Sequence, residues 1–227
     1  MWIDDDILRR SAERLAIACW VPERPVVVLG SSNQAAVEVD MDACARDDVP
    51  ILKRYGGGGT VLLYPGSLVV SIGAWVRQPY QNRLYFTRLN QALIDTLALR
   101  WPTLARMDQR GLSDITWDDR KLVGTSLFRS RNYLLYQASI LVEADPVLIG
   151  RYLKHPSREP DYRRGRGHGG FLMGLRDVEP AATAVACRDL MESTLSAQLE
   201  RLLVDDLLAP IDEQRASLLR RAEGLAP

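Results

Sequence analysis

Two stretches decide how this chain is read: Lys53-Arg54-Tyr55-Gly56-Gly57-Gly58-Gly59-Thr60 and, some sixty residues on, Ser113-Asp114-Ile115-Thr116-Trp117-Asp118-Asp119-Arg120-Lys121-Leu122-Val123-Gly124-Thr125. Four successive glycines leave backbone N–H groups free of side-chain cover, so an anion can approach the main chain closely, and Arg54 stands beside them as a fixed positive charge. By itself the run also reads as a flexible hairpin loop. It lacks the Gly-Lys-Ser/Thr ending of a P-loop and does not match GxGxxG between a strand and a helix. In the second stretch Lys121 precedes a Gly-Thr pair. Lysine occurs only at Lys53, Lys121 and Lys154 among 29 basic residues, so a lysine at this point stands out in an arginine-rich chain. Its plain alternative is a solvated turn lysine.

Outward from these stretches the chain alternates short strands and helices. Ile7, Leu8, Leu15, Ala16 and Ala18 fall at helical spacing and predict one amphipathic helix over Asp4–Trp20. Pro25–Gly30 reads as a buried strand, Asp40–Asp48 as a short helix, and Val49–Arg54 as a strand entering the glycines. Thr60–Tyr64 and Leu68–Val76 make two more strands around the Pro65-Gly66 turn, and Tyr85–Trp101 a helix stopped by Pro102. Asp114–Trp117, Arg120–Val123, Ser126–Arg129 and Leu134–Val142 predict an antiparallel meander with turns at Asp118-Asp119 and at Ser130–Asn132. Helices are expected over Pro146–Leu153 and Ala181–Leu208. Between them, Lys154–Gly170 is rich in proline, glycine and arginine and reads as an irregular loop: a lid, a landing surface for an acidic partner, or a solvated basic loop. This order specifies an α+β domain with a largely antiparallel mixed sheet flanked by helices, as one unit over 1–227.

The 29 basic and 29 acidic side chains cancel, which argues for small-molecule or protein partners over nucleic acid. Three scattered cysteines, Cys19, Cys44 and Cys187, fit neither a disulfide framework nor a CxxC metal site and point to a reducing cytoplasm. The acidic start Asp4–Asp6 is unlike a signal peptide, and no apolar run is long enough to span a bilayer. His155 and His168 show no metal-ligand spacing.

Taken together, the segments resemble the lipoate-protein ligase branch of the biotin/lipoate protein ligase superfamily. The residues that carry the likeness are Lys53-Arg54-Tyr55-Gly56-Gly57-Gly58-Gly59-Thr60-Val61, then Ser113-Asp114, then Lys121-Leu122-Val123-Gly124, then Ser139–Asp145, in order and spacing over roughly 26–175. The resemblance implies a catalytic domain of the class II aminoacyl-tRNA synthetase and biotin–lipoate ligase type, with 176–227 forming C-terminal helices. It implies activation of lipoate (or octanoate) with ATP to an acyl-adenylate, and transfer to a lysine of a lipoyl domain such as a glycine cleavage H protein or a dehydrogenase E2 component. In that reading Lys121 is the catalytic lysine, because a compact ammonium stabilises charge developing on the transferred group. Arg54, Gly57, Gly58, Gly59, Thr60, Val61, Gly124, Thr125, Gln137 and Ser139 bind substrate or adenylate, and Asp114 is the acid on the Mg²⁺ side.

Three departures stand out. Leu63-Tyr64-Pro65-Gly66-Ser67 replaces a His-Asp-x-Gly-Asn stretch, Ser113 replaces an asparagine, and no accessory C-terminal domain follows, which leaves open a separate accessory subunit. The related octanoyltransferases carry an acyl-bearing cysteine about one strand after the lysine. Arg129–Ser139 has none, so a thiol acyl-enzyme is disfavoured. An ATP-independent acyl transferase and a catalytically altered partner subunit remain the alternatives.

Overall fold

In the computed structural model, which describes residues 3–224, the first segment divides where a single helix was expected. Helix α1 covers only Asp5–Arg9 and strand β1 covers Leu15–Trp20. Leu15, Ile17 and Cys19 pack on the main core while Ala16 and Ala18 join a cluster on the other side. That two-residue alternation belongs to a strand, and it overrides a helical spacing that rested on small alanines.

Strand β2 (Val26–Leu29) is followed by two short helices, α2 (Ala35–Glu38) and α3 (Met41–Arg46). The Asp40 carboxylate caps α3 by accepting the Ala43 N–H at 2.8 Å. Strands β3 (Ile51–Lys53), β4 (Val61–Leu63) and β5 (Ser67–Trp75) lead to the long helix α4 (Asn82–Arg100). A meander follows: β6 (Asp108–Arg110), β7 (Asp114–Trp117), β8 (Arg120–Ser130) and β9 (Tyr133–Leu141). The two strands expected across 120–129 are one continuous strand. Asp118 and Asp119, both at positive φ, make the two-residue turn from β7 to β8. The chain then adds α5 (Pro146–Tyr152), α6 (His168–Phe171), α7 (Ala184–Leu202) and α8 (Asp212–Ala222). Helix α8 falls in the C-terminal region where the resemblance implied helices, but no apolar periodicity delimits it, because little beyond Leu218 and Ala222 is buried along it.

The large sheet has the order β1-β5-β9-β8-β7-β6 and is antiparallel at every pairing. A second sheet, β3-β2-β4, pairs β2 with β3 in parallel and with β4 antiparallel. Helices α4 and α7 cover one face of the large sheet. There Leu89, Leu93 and Leu97 meet Leu195, Leu199 and the strand residues Val70, Ile72 and Ile140 in one buried core. Each fully buried side chain of this kind contributes roughly 1.5–3 kcal/mol. The smaller sheet buries Val27, Leu29 and Leu62 with Cys44, Ile149 and Phe171.

Candidate active site

The face of the large sheet turned away from α4 and α7 carries polar side chains in register. Asp114 lies opposite Gly124, Gly124 opposite Ser139, and Ser139 opposite Val69. The next row is Ser126, Gln137 and Ser71. The flanking rows, Val123, Ile140 and Leu68 on one side and Leu127, Tyr136 and Ile72 on the other, point into or against the core, as do Ala138 and Val70 of the row between.

Lys121 joins this polar face through a bulge. Thr116 pairs with Lys121 but Ile115 pairs with Val123, so Leu122 is an extra residue in β8. Strict alternation would set Lys121 and Gly124, three apart, on opposite faces; the added residue puts them on one. The lysine side chain then lies over Gly124. A Cβ built on that glycine would stand 2.8 Å from Lys121 Nζ and 2.9 Å from its Cε. The ammonium reaches Asp114 Oδ1 at 2.7 Å, with the lysine side chain 23% exposed and the acid's 10%. The second oxygen of Asp114 accepts the Tyr162 hydroxyl at 2.8 Å.

The glycine run lies across the same cleft. Gly58 sits at φ +94°, a conformation that favours glycine, and a Cβ on Gly59 would meet nothing within 4 Å, so bare backbone borders open space. Arg54 stands behind the run. Its Nη2 donates to the carbonyls of Gly57 (2.8 Å) and Gly59 (2.7 Å) and its Nε to Gly57 (3.2 Å), which ties the bend to β3. Burial pulls this guanidinium down to about 10, still cationic at neutral pH. Asp4 supports the bend from below by accepting the Tyr55 N–H at 2.6 Å. Burial pushes the Asp4 carboxyl up to about 6, against the hydrogen bonds and the Arg54 charge that act the other way.

The cleft encloses about 650 Å³. Arg54, Gly58, Gly59, Thr60, Val61, Asp114, Lys121, Gly124, Thr125, Gln137 and Ser139 all border it; Gly57 does not. Thr125 stands on the core side of β8, with its hydroxyl given to the Ser113 carbonyl at 2.8 Å, so its contribution to the lining is not that hydroxyl. Ser139 donates to the Gly124 carbonyl at 3.2 Å, and the Gln137 amide reaches Ser71 at 3.4 Å. Ile3, Val28, Val61, Leu63 and Val69 give the cleft an apolar side. The Leu63–Ser67 stretch otherwise builds a turn: the Tyr64 hydroxyl donates to the Glu143 carbonyl at 2.7 Å, and Ser67 bonds back to Tyr64.

The arginine- and glycine-rich loop forms the opposite wall. Pro156, Ser157, Arg158, Glu159, Pro160 and Arg163 border the cleft, and Phe171 closes the row. Arg163 is buried, its guanidinium 4.6 Å from the Phe171 ring, and burial lowers its pKa. One of its nitrogens, like the Thr60 hydroxyl, is buried without a hydrogen-bond partner among the described residues, beside a side recess of about 100 Å³ that Lys121 also borders. Unpaired polar atoms around a recess mark a place for a polar ligand or water. Tyr162, Arg163 and the buried Glu38, which accepts the Ser157 hydroxyl, were not singled out in the sequence; the loop's composition pointed toward the first two, and nothing pointed to Glu38 on α2.

Among the described residues no group of three or more His, Cys, Asp or Glu side chains is placed to hold a metal ion. Asp114 offers one carboxylate whose two oxygens already face Lys121 and Tyr162. These residues do not fit a resident Mg²⁺ site. Burial pushes the Cys19 and Cys187 thiols up to about 12 and raises Cys44 as well, and none of the three borders the cleft. No described helix is long and apolar enough to cross a membrane.

A held ammonium and bare amides at one side, with apolar strands at the other, can accommodate an amphiphilic acyl group bearing an anionic head. The fold and the sequence agree on the class: the chain belongs to the lipoyl protein ligase A/B catalytic domain family, whose model matches residues 1–178. A Schizosaccharomyces pombe protein with the provisional name lipoate-protein ligase A is 31% identical over 134 residues, 59% of this chain and 35% of that one. The bi-partite lipoate protein ligase of Thermoplasma acidophilum, described with its E2 lipoyl domain, superposes with a TM-score of 0.71 at 21% identity, covering 96% of this chain and 84% of that one. A crystal structure of lipoate-protein ligase A bound with ATP gives 0.68 at 20% identity over 98% and 92%. The chain spans 35% to 55% of the length of the curated relatives it matches.

Proposed function

We propose that this chain is the catalytic unit of a lipoate-protein ligase. A lipoate (or octanoate) carboxylate oxygen attacks the α-phosphorus of ATP, pyrophosphate leaves, and an acyl-adenylate forms. The amine of an acceptor lysine then attacks the acyl carbon and AMP departs. The observation that carries this reading is the Lys121 ammonium, held by Asp114 over Gly124 at the edge of a cleft shared with the bare glycine bend. Charge grows on the α-phosphate and on the acyl oxygen during both steps, and a pre-placed cation stabilises that growth without reorganising at the moment of reaction.

Gly58, Gly59 and Thr60 serve the phosphate side, Gln137 and Ser139 the acyl head, and Val28, Val61, Leu63 and Val69 the chain. Arg54 and Gly57 act by shaping the bend. Mg²⁺ enters with the nucleotide, held chiefly by its phosphates. The acceptor is a lipoyl domain of the H-protein or E2 kind. An accessory subunit is supplied by a separate chain, a reading supported by the bi-partite architecture of the Thermoplasma acidophilum ligase. An ATP-independent transfer through a thiol is opposed by the raised cysteines lying off the cleft.

Lys121→Ala is expected to abolish pyrophosphate release from ATP and lipoate, and lipoyl transfer with it, while leaving the fold intact. Release retained by a folded Lys121→Ala protein would falsify the assignment. Acyl transfer to a lipoyl domain that proceeds without ATP would move the protein to the transferase reading.

A further inference from the structure

The loop wall and the lysine are attached to the same hairpin. Tyr162 donates its hydroxyl to Asp114 Oδ2 at 2.8 Å, while Asp114 Oδ1 holds the Lys121 ammonium at 2.7 Å. Tyr162 is itself fixed. Its ring packs on Phe171 at 5.3 Å, and its carbonyl accepts from Arg166 Nη2 at 2.8 Å. The same Arg166 nitrogen donates to the Asp119 carbonyl at 2.9 Å, in the turn that joins β7 to β8. One end of this clasp therefore sits on the acid and the other on the turn two residues before the lysine.

A carboxylate on a short side chain turns freely about its terminal bond unless both oxygens are engaged. With one oxygen taken by the phenol, the other can face only the ammonium. We propose that Tyr162 is the positioning residue for the reaction: its hydrogen bond orients Asp114, and Asp114 places Lys121, so closure of the loop wall and placement of the ammonium occur together. The inference rests on the ligase reading for its chemical purpose, but not for its geometry. Burial and the neighbouring Asp114 charge raise the Tyr162 pKa, so the phenol stays a donor across the neutral range. When an incoming anion draws the ammonium away, the acid keeps its phenol partner and remains oriented to take the lysine back.

The test uses Tyr162→Phe, which keeps the ring on Phe171 and removes only the hydroxyl, beside Asp114→Asn. Because the chain has only three lysines, ¹³C-lysine labelling resolves the Lys121 side chain by NMR with no substrate present. Both variants are expected to move the Lys121 ε-methylene signal toward that of a mobile lysine and to leave Lys53 and Lys154 in place. In pyrophosphate release, Tyr162→Phe is expected to lower kcat by roughly 10- to 100-fold, the rate equivalent of one hydrogen bond to a charged group, with KM for lipoate changed less than about twofold. A Lys121 signal that moves in Asp114→Asn but not in Tyr162→Phe overturns the inference, whether or not the protein proves to be a ligase. Absence of pyrophosphate release from the wild type, with the NMR shifts as expected, overturns the ligase reading alone. Should Tyr162→Phe fold poorly, Arg166→Gln, which frees the loop from the hairpin and leaves the phenol intact, is expected to move the same signal, and its failure to do so counts against the clasp.

Discussion

Gly124→Ala tests the site at the point where sequence and geometry meet. The new methyl would stand 2.8 Å from Lys121 Nζ and 2.9 Å from Cε, while its next neighbour, Ser139 Oγ, is an ordinary 3.5 Å away. The clash thus falls on the far end of a flexible side chain rather than on backbone. To reach ordinary contact the ammonium must retreat from 2.8 Å to at least 3.4 Å, a shift of about 0.6 Å. The 2.7 Å contact to Asp114 must then be remade around a displaced ammonium. Misplacement on the order of 1 Å costs a reaction about 100-fold, or about 2.7 kcal/mol of barrier. The strand itself loses nothing, since alanine suits a strand better than glycine does. Gly124→Ala is therefore expected to lower kcat/KM for pyrophosphate release by about two orders of magnitude with a melting temperature at or slightly above that of the wild type. Purified protein, calorimetry and a coupled pyrophosphate assay suffice. Wild-type turnover in Gly124→Ala, together with a dead Lys121→Ala, would show that the lysine does not act from where it rests over the glycine, and the reasoning would fail.

Two further perturbations address the bend. Burial pushes the Asp4 carboxyl up to about 6 in the folded chain from an ordinary 3.8, so the native state holds the extra proton between those limits and stability from this group falls as pH rises through them. Asp4→Asn should become more stable relative to the wild type by on the order of 2–3 kcal/mol between about pH 4 and pH 7; melting curves whose difference does not change with pH would refute the assignment. Arg54→Met leaves the Gly57 and Gly59 carbonyls without their donors and is expected to destabilise the fold by about 2–4 kcal/mol in urea titrations. Arg54→Lys should lose most of the same amount, because an ammonium lacks the guanidinium fork that spans both carbonyls. Full rescue by lysine would mean that charge rather than geometry is what the bend requires.

Much of the architecture was legible because its elements are long and strongly patterned. Tyr85–Trp101, Leu68–Val76 and Leu134–Val142 carry apolar residues at unambiguous periods, and the strands and helix found there agree within a few residues. The segment Asp4–Trp20 failed because Ala16 and Ala18 satisfy a helical and an alternating pattern equally, and only the neighbouring β5 decides between them. The continuity of β8 was hidden by Gly124, which marks a break in most strands and here marks the resting place of a lysine. Arg54 was legible as a basic residue beside glycines, but not as the clasp of their carbonyls. Nothing in a list of neighbours says whether a guanidinium faces a ligand or its own backbone.

The bulge at Leu122 explains why the site needed the fold to become visible. Asp114, Gly124 and Ser139 share a row because antiparallel register alone aligns them, and all three were readable from the motif segments. Lys121 belongs to that row only because one residue is looped out of the pairing, and it can lie flat there only because position 124 has no side chain. The Lys-x-x-Gly spacing therefore has a mechanical meaning. A lysine and a glycine three positions apart fall on the same face of a strand when one of the intervening two residues is bulged, and the glycine supplies the space the lysine occupies. A strand without the bulge would turn the ammonium toward α4 and α7, where Val123 and Ile140 lie buried and a charge would find no solvent and no partner. The cost of that alternative fixes the bulge in place, and the bulge fixes the lysine.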